Sequence, residues 1–548
     1  MERSRSLESE GLFKARGAGA SGAASSARVS DNEQTDLPRD GINLRLYWGL
    51  LGAVTLFLCL PILTVHYLSF TDYPGHLASI YVMFHYHDTP RYQQYFTFNW
   101  APIPNLAFEI IGPPLLHFMG LFTAGRVFLI LTLLLFVTGC HLLGKAIHGR
   151  ETYLAIACTF FFYGLFLFGA EMNFLFGLAL FAIALAFTLR WRERWNAKTL
   201  TLASVLYSCT YFAHLGGYAF LGFTVVTIAG FELLARRISL RRAALDIIPL
   251  VPPLILFVVF MNRGGTIGNS KHHIVWKSNL GIYITGAVSE LVTYYHHWNR
   301  VWAASAALIV MVMVWQILRR KVGVSKPVML AGIMLFAAFL VCPHELFTSV
   351  GADQRFVPAA LLLIVLALEV RGKNRVCAAL FGLWLVVSMT RVGFIWSAWR
   401  KFDPITATGI QMLATLPAGA KLYPFQPYPQ NGATNLTGWA FGHASTYSII
   451  YEKAYDPGLW VRRSAYPLAF RNDPHYYDDS PHPAAQRARQ LVRYDYAWST
   501  TVSPKDEQTL ERECTPILKR DGFTLWKVNR SSEARQSSPL PEGVDGRN

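Results

Sequence analysis

The stretch LYWGLLGAVTLFLCLPILTVHYLSFTDYPGHLA (residues 46–78) joins a long apolar run to a short polar motif. A helix of about 20 apolar residues can cross the hydrocarbon core of a bilayer. Apolar runs of this kind recur along the 548 residues of the chain, of which 53% are hydrophobic and 15% are charged. Soluble domains carry about 25% charged residues. This composition therefore excludes a soluble enzyme, a coiled coil, a disordered chain and a disulfide scaffold.

The apolar runs predict an α-helical polytopic membrane protein with about 11 transmembrane helices. The first run begins near Leu44, and no small-residue cleavage site follows it, so we expect a retained first span rather than a removable signal peptide. The predicted spans are 46–66, 121–143, 152–168, 174–190, 199–213, 215–234, 244–261, 299–318, 327–342, 356–370 and 376–397.

Positive charge accumulates between these spans. Residues 46–397 hold 25 basic and 12 acidic residues, and most of the basic ones fall in five clusters at 145–150, 190–198, 236–242, 319–326 and 371–375. Basic loops between spans are typical of the cytoplasmic side. Eleven spans place all five clusters and the N-terminus in the cytoplasm. The net charge of +16 therefore reflects topology, and we expect a lipid bilayer and no nucleic acid as a partner.

Composition divides the chain into four segments. Residues 1–43 are predicted to be a disordered cytoplasmic tail, because Ser, Gly, Ala and charged residues cannot bury enough apolar surface to fold. A transmembrane domain is expected at 44–397, with its first outer loop at 67–120. A small extracytoplasmic domain of mixed α/β structure is expected at 398–530, followed by a disordered tail at 531–548.

Short elements are predicted on the outer side of the membrane. The pattern of residues 409–416 and 481–492 predicts helices, and short apolar runs at 420–423, 494–498 and 523–528 predict strands.

The motif TDYPGHLA (71–78) lies immediately after the first span. Pro74 disfavours helical backbone at Tyr73, so a helix is expected to begin near Pro74 with Asp72 at or just before its N-cap. Asp72 is then either a helix cap or a carboxylate placed where the head group of a lipid-linked substrate arrives. Ionisable groups near a membrane are costly, and they tend to line cavities. Further candidates on the same side are His76, Glu109, Glu171, His214, Arg263, Lys271 and Arg355.

With this motif the chain resembles the integral-membrane glycosyltransferases of the GT-C superfamily, in particular the protein mannosyltransferase and aminoarabinose transferase group. The resemblance rests on TDYPGHLA (71–78), GAEMN (169–173) and ADQRFVP (352–358). It implies a long first outer loop, two juxtamembrane surface helices in that loop, at 75–88 and 104–119, and an outer C-terminal domain. It also implies that Asp72 is the catalytic acidic residue, that Glu171 is a second outer acidic residue, and that Arg355 holds the phosphate of the donor lipid.

The chemistry that follows is transfer of a sugar from a polyprenyl-phosphate donor on the extracytoplasmic face. An acceptor hydroxyl needs a base, for which Asp72 is the candidate, with Glu171 and His76 beside it. The departing phosphate needs positive charge, and Arg355 suits it because a guanidinium binds phosphate oxygens in a fork. Further substrate-binding candidates are Arg263, Lys271, His214 and Glu109.

Cofactor use stays open at this stage. Asp72, Glu171 and His76 could supply part of a divalent-metal site, but no spacing requires one. The sugar and the acceptor also stay open.

Two other functions are compatible with the sequence. A transporter or flippase of a lipid-linked or small polar substrate would show paired repeats and charged or broken helices. A non-catalytic assembly or glycan-binding protein would use the Tyr- and Trp-rich segment at 424–480. Eukaryotic retention signals are absent, which favours a bacterial inner membrane for any of the three functions.

Overall fold

The computed structural model describes residues 42–262, 274–276, 279, 281, 299–346, 349–370, 372, 374–425, 440–461, 466–471, 490–500 and 502–529. Within these residues the chain is mainly helical, and seven helices are long and apolar enough to cross a membrane. Three shorter apolar helical segments accompany them, at Tyr153–Phe168, Lys326–Val341 and Phe356–Leu366. The chain is an integral membrane protein.

The helices of the described residues are numbered in chain order. They are α1 (Leu44–Thr64), α2 (Tyr73–His85), α3 (Pro90–Tyr95), α4 (Ala107–Leu115), α5 (Leu121–His148), α6 (Tyr153–Thr159), α7 (Leu165–Phe168), α8 (Met172–Trp191), α9 (Ala197–Ala213), α10 (Leu215–Leu234), α11 (Leu240–Ile247), α12 (Val251–Asn262), α13 (Asn299–Leu318), α14 (Lys326–Val341), α15 (Phe356–Leu366), α16 (Arg375–Leu413), α17 (Tyr447–Glu452) and α18 (Pro504–Glu513).

Each of the eleven predicted spans coincides with helical residues, but three of them end elsewhere, and the count of eleven stays a prediction. The span predicted at 121–143 belongs to α5, which continues to His148. The span predicted at 356–370 is helical only as far as Leu366, because 368–370 form a strand that pairs with residues 322–324. The span predicted at 376–397 belongs to α16, which continues to Leu413. Asp403 in this extension accepts hydrogen bonds from the backbone of the first loop. The helix therefore runs through the predicted domain boundary at 398.

The third predicted span is broken rather than continuous. A short 3-10 turn follows α6, and Gly164 then adopts an extended conformation before α7 begins. The chain leaves α7 through Ala170, whose φ of 57° lies in the left-handed region, and enters α8 after Glu171. A break of this kind leaves backbone carbonyls without helical partners, so other segments can bond to them.

The strands of the described residues are short. They are β1 (Phe96–Phe98), β2 (Ile274–Val275), β3 (Val322–Val324), β4 (Glu345–Leu346), β5 (Ser349–Val350), β6 (Leu368–Val370), β7 (Leu422–Phe425), β8 (Leu468–Phe470), β9 (Tyr496–Ser499), β10 (Cys514–Arg520) and β11 (Phe523–Val528). Four of them form a sheet in the order β10-β11-β9-β7, in which only β7 and β9 are parallel.

The C-terminal strands lie close to the predicted positions, and β11 has the predicted bounds. The predicted helix at 409–416 is the end of α16, and the one at 481–492 lies largely outside the described residues. The predicted tails also lie outside them, except that Asn43 caps α1 through its side chain.

Two features join the first loop to the C-terminal segment. Strand β1 pairs with β8 in antiparallel register, with Phe96 opposite Phe470. One continuous apolar core also contains residues of the transmembrane helices together with Phe441, Tyr447 and Phe523. The first loop and the C-terminal segment therefore pack as neighbours, and both border the motif at Asp72.

Candidate active site

Asp72 occupies the N-cap position of α2, which begins at Tyr73, as the sequence predicted. Its side chain, however, makes no capping hydrogen bond. Its Oδ1 instead lies 3.4 Å from Nε2 of His443. The carboxylate is about one-third exposed, with a side-chain accessibility of 32%. Of the two alternatives drawn from the sequence, the structure does not support a side-chain helix cap.

Backbone hydrogen bonds place this carboxylate beside the broken helix. The amide of Thr71 donates to the carbonyl of Phe168 at 3.0 Å, and the amide of Asp72 donates to that of Gly169 at 3.2 Å. Glu171 follows two residues later at the start of α8. The strained exit from α7 and the first-loop motif therefore form one unit, and this unit brings two acidic residues to the same surface.

Glu171 and Arg355 form an ion pair. Oε1 of Glu171 lies 2.5 Å from Nη2 of Arg355, whose Nη1 donates to Oγ of Ser349 at 2.5 Å. Arg355 is buried, with only 8% of its surface exposed, and its guanidinium lies 6.0 Å from the ring centre of Phe174. A buried guanidinium needs an anionic partner, and Glu171 supplies it.

His76 and Glu109 form a second pair deeper in the site. Nδ1 of His76 lies 3.9 Å from Oε1 of Glu109, and both residues are buried. Burial raises the pKa of Glu109 to about 7, although the hydrogen bond that Asn173 donates to the carboxylate lowers this pKa. Burial, together with the neighbouring His443, lowers the pKa of His76 to about 4. Near neutral pH His76 is therefore neutral, and Glu109 is about half ionised.

Asn173 explains how Glu109 is held. Its amide nitrogen donates to Glu109 and to the carbonyl of Asn105, and its oxygen accepts the amide of Phe108. One side chain at the start of α8 thus fixes the start of α4. The residue belongs to the GAEMN motif, but its sequence position gave no sign of this contact.

Three residues of the site come from the C-terminal segment and were not found from the sequence. His443 contacts Asp72, and the Trp460 ring packs edge-on against both His443 and His76, with ring centres 4.8 and 5.3 Å away. Tyr466 lies near Glu109, Glu171 and Asp72, whose negative charges add to burial in raising its pKa. The aromatic composition of 424–480 was the only available signal, and it did not select these residues.

The contact of Trp460 with α2 depends on Gly75. A Cβ atom at position 75 would overlap the indole ring. We expect Gly75→Ala to lower the free energy of unfolding by about 1–3 kcal/mol, because the ring or the helix must move. Gly49→Ala is the matched control, since a Cβ at that position meets no atom within 4 Å. Equal thermal unfolding midpoints for the two variants in detergent micelles would show that Trp460 is not packed on α2.

Asp456 makes the stability of the folded protein depend on pH. It is fully buried, its Oδ1 accepts the amide of Gly458 at 2.7 Å, and burial raises its pKa from 3.8 to about 7. The folded state therefore binds a proton between about pH 4 and pH 7 that the unfolded state releases, so this group lowers stability as pH rises through that range.

Asp456→Asn keeps the contact with Gly458 and removes the charge. We expect its free energy of unfolding, relative to the native chain, to increase between pH 5 and pH 8 by on the order of 1–3 kcal/mol. His76 and His443, whose pKa values are lowered, contribute the opposite slope, but they are present in both proteins and cancel in the difference. Parallel stability curves for the two proteins would contradict a buried carboxyl at this position.

The remaining candidates from the sequence have separate outcomes. His214 accepts the amide of Gly216 through Nδ1 at 3.0 Å and so caps α10, with its ring against Phe174. The guanidinium of Arg355 lies against the same Phe174 ring, and the substrate-binding role of His214 stays a prediction. Arg263 and Lys271 lie outside the described residues.

The donor set for a metal is incomplete. Asp72, Glu171 and His76 each contact a different partner, and within the described residues no group of three His, Cys, Asp or Glu side chains is arranged to hold an ion.

Comparisons with known proteins give structural neighbours only. No protein-family model matches the sequence, and no curated protein matches it. Solved structures similar to this fold include ArnT from Cupriavidus metallidurans bound to undecaprenyl phosphate and the same protein in the apo state. They are 12% and 13% identical to this chain, each with a TM-score of 0.49, and the matches cover 88% of this chain and 97% and 98% of theirs.

Proposed function

We propose that this chain is a membrane glycosyltransferase that moves a sugar from a polyprenyl-phosphate donor to an acceptor hydroxyl on the extracytoplasmic face. The observation that carries the proposal is the connection between a carboxylate that is about one-third exposed, Asp72, and a buried guanidinium, Arg355. Hydrogen bonds between 71–72 and 168–169 join the segments that carry Asp72 and the arginine's partner Glu171. A base and a phosphate-binding cation are the two groups that this transfer requires.

The reaction needs one bond formed and one broken. The acceptor oxygen bonds to the anomeric carbon, its proton passes to Asp72, and the bond from that carbon to the phosphate oxygen breaks. The electron pair leaves with the polyprenyl phosphate, whose negative charge Arg355 stabilises. Reacting groups must be held within a few ångströms of one another for such a step.

Glu171 acts on the cation rather than on the acceptor in this proposal. Its carboxylate already pairs with Arg355 at 2.5 Å, so it orients the guanidinium and occupies part of the position that a donor phosphate would take. Donor binding therefore competes with this ion pair. Ser349, which accepts a hydrogen bond from the other terminal nitrogen, keeps the guanidinium plane in place during the exchange.

His76 and Glu109 are buried residues that border the site without taking part in the transfer. His76 lies one turn into α2, close to the backbone of Ala170, the left-handed residue before Glu171. Because burial keeps His76 neutral near pH 7, it places no positive charge beside Asp72.

The proposal is tested with membrane vesicles that contain the protein and matched vesicles that lack it. Both are incubated with a panel of polyprenyl phosphates that carry different radiolabelled sugars. We expect label to enter a new covalent product only in the vesicles with the protein, and the active donor then identifies the sugar. Translocation of an intact donor would favour a flippase, and glycan binding without turnover would favour the non-catalytic alternative.

A further inference from the structure

The tautomer of His443 follows from its backbone contact. Nδ1 of the ring lies 3.0 Å from the carbonyl oxygen of Gly458. A carbonyl only accepts hydrogen bonds, so Nδ1 carries the hydrogen. In the neutral ring Nε2 then holds the lone pair, and this atom lies 3.4 Å from Oδ1 of Asp72.

The surrounding turn keeps the ring in this orientation. Asp456 accepts the amide of Gly458, whose carbonyl holds His443, and Trp460 packs edge-on against the ring. The His443 side chain is only 12% exposed, and burial lowers its pKa to about 4, so the ring is neutral near neutral pH. The titratable groups that face it are Asp72 and His76 from α2, with Asp456 behind Gly458 on its own segment.

Two acceptor atoms therefore face each other when Asp72 is ionised and His443 is neutral. A carboxylate oxygen and an imidazole lone pair at this separation are stabilised by one proton between them. The acceptor hydroxyl is the source of such a proton at the moment of transfer. The arrangement resembles a base backed by a second proton-binding group, and that second group comes from the C-terminal segment.

We propose that His443 is a positioning residue that orients Asp72 and shares the proton that Asp72 takes from the acceptor hydroxyl. The proton moves from the acceptor oxygen to Oδ of Asp72 and is then shared with Nε2, which leaves a carboxylate beside an imidazolium with no net charge change. The inference rests on the proposed function for the identity of the acceptor step. It also assigns the C-terminal segment a part in completing the site.

Two substitutions separate this role from a structural one. His443→Asn keeps a donor near the Nδ1 position for Gly458 but removes the group that faces Asp72. His443→Gln keeps a polar group near the Nε2 position but cannot accept a proton. We expect both variants to lose about 100-fold or more in kcat, with KM for the donor changed less than threefold. Retention of native kcat by either variant would overturn the proposal, and His87→Asn, at an exposed histidine of the first loop, is the control.

A second measurement does not depend on turnover. The protein is labelled with isotopically enriched histidine in nanodiscs, and the signal of His443 among the 16 histidines is assigned by its loss in His443→Gln. We expect Asp72→Asn to lower the pKa of His443 by about one pH unit or more, because a neighbouring carboxylate favours the imidazolium. An unchanged pKa would contradict the pairing. If the pairing is found but no sugar is transferred, the proposed function fails while the contact stands.

Discussion

Asp72→Asn is expected to reduce sugar transfer by about 1,000-fold while leaving membrane insertion and expression unchanged. The substitution preserves the size of the side chain, and the backbone bonds of residue 72 to Gly169 and of His76 to residue 72 do not involve the carboxylate. What the variant lacks is the group that takes the acceptor proton. The measurement is initial transfer rate per mole of protein in vesicles, with saturating donor.

Asp88→Asn is the matched control for this prediction. Asp88 belongs to the same first loop and is exposed to solvent, and its backbone amide bonds locally to His85. We expect its transfer rate to stay within twofold of the native rate. If Asp72→Asn also turns over at the native rate, Asp72 is not the base, and the catalytic assignment is wrong.

Arg355→Ala is expected to reduce kcat/KM for the polyprenyl-phosphate donor by about 100-fold or more, through a higher KM and a lower kcat together. The substitution removes the phosphate-binding cation and also leaves Glu171 without its partner at 2.5 Å. For Arg355→Lys we expect a kcat/KM between those of the native protein and Arg355→Ala. An ammonium group carries the charge, but it lacks the two terminal nitrogens that contact Glu171 and Ser349 together. Donor titrations of all three proteins give the comparison.

Glu171→Gln tests the same site from the opposite side. Glutamine keeps an oxygen that can accept from Arg355 but carries no charge to compete with the donor phosphate. We therefore expect a lower KM for the donor, in the opposite direction from the Arg355 variants. A higher KM in Glu171→Gln would instead show that Glu171 itself contacts the donor and that the competition described above does not occur.

The sequence predicted the start of the helix that carries the first motif. Pro74 and the end of the first run were enough to place α2 after Asp72, and the family resemblance named Glu171 and Arg355 as candidates. Their mutual contact was not predicted, because it depends on the break between α6 and α7 and on the packing of α15. The pattern of apolar residues along a predicted span does not indicate such a break.

The C-terminal contribution could not be predicted for a different reason. His443, Trp460 and Tyr466 lie more than 360 residues along the chain from Asp72, and their approach depends on β1 pairing with β8 and on the room that Gly75 leaves. Neither residue spacing nor composition encodes pairings at that separation. The continuation of α16 past residue 398 could not be predicted for the same reason, because the backbone of the first loop donates hydrogen bonds to Asp403 in that continuation.

The most direct test of the central claim uses one donor with two labels. Purified protein in liposomes receives a polyprenyl phosphate that carries tritium in the sugar and radiophosphorus in the phosphate. The account predicts that tritium moves to the acceptor while radiophosphorus stays on the lipid as polyprenyl phosphate, and that the separation of labels is lost in Asp72→Asn. Both labels crossing the bilayer together on an intact donor would contradict it.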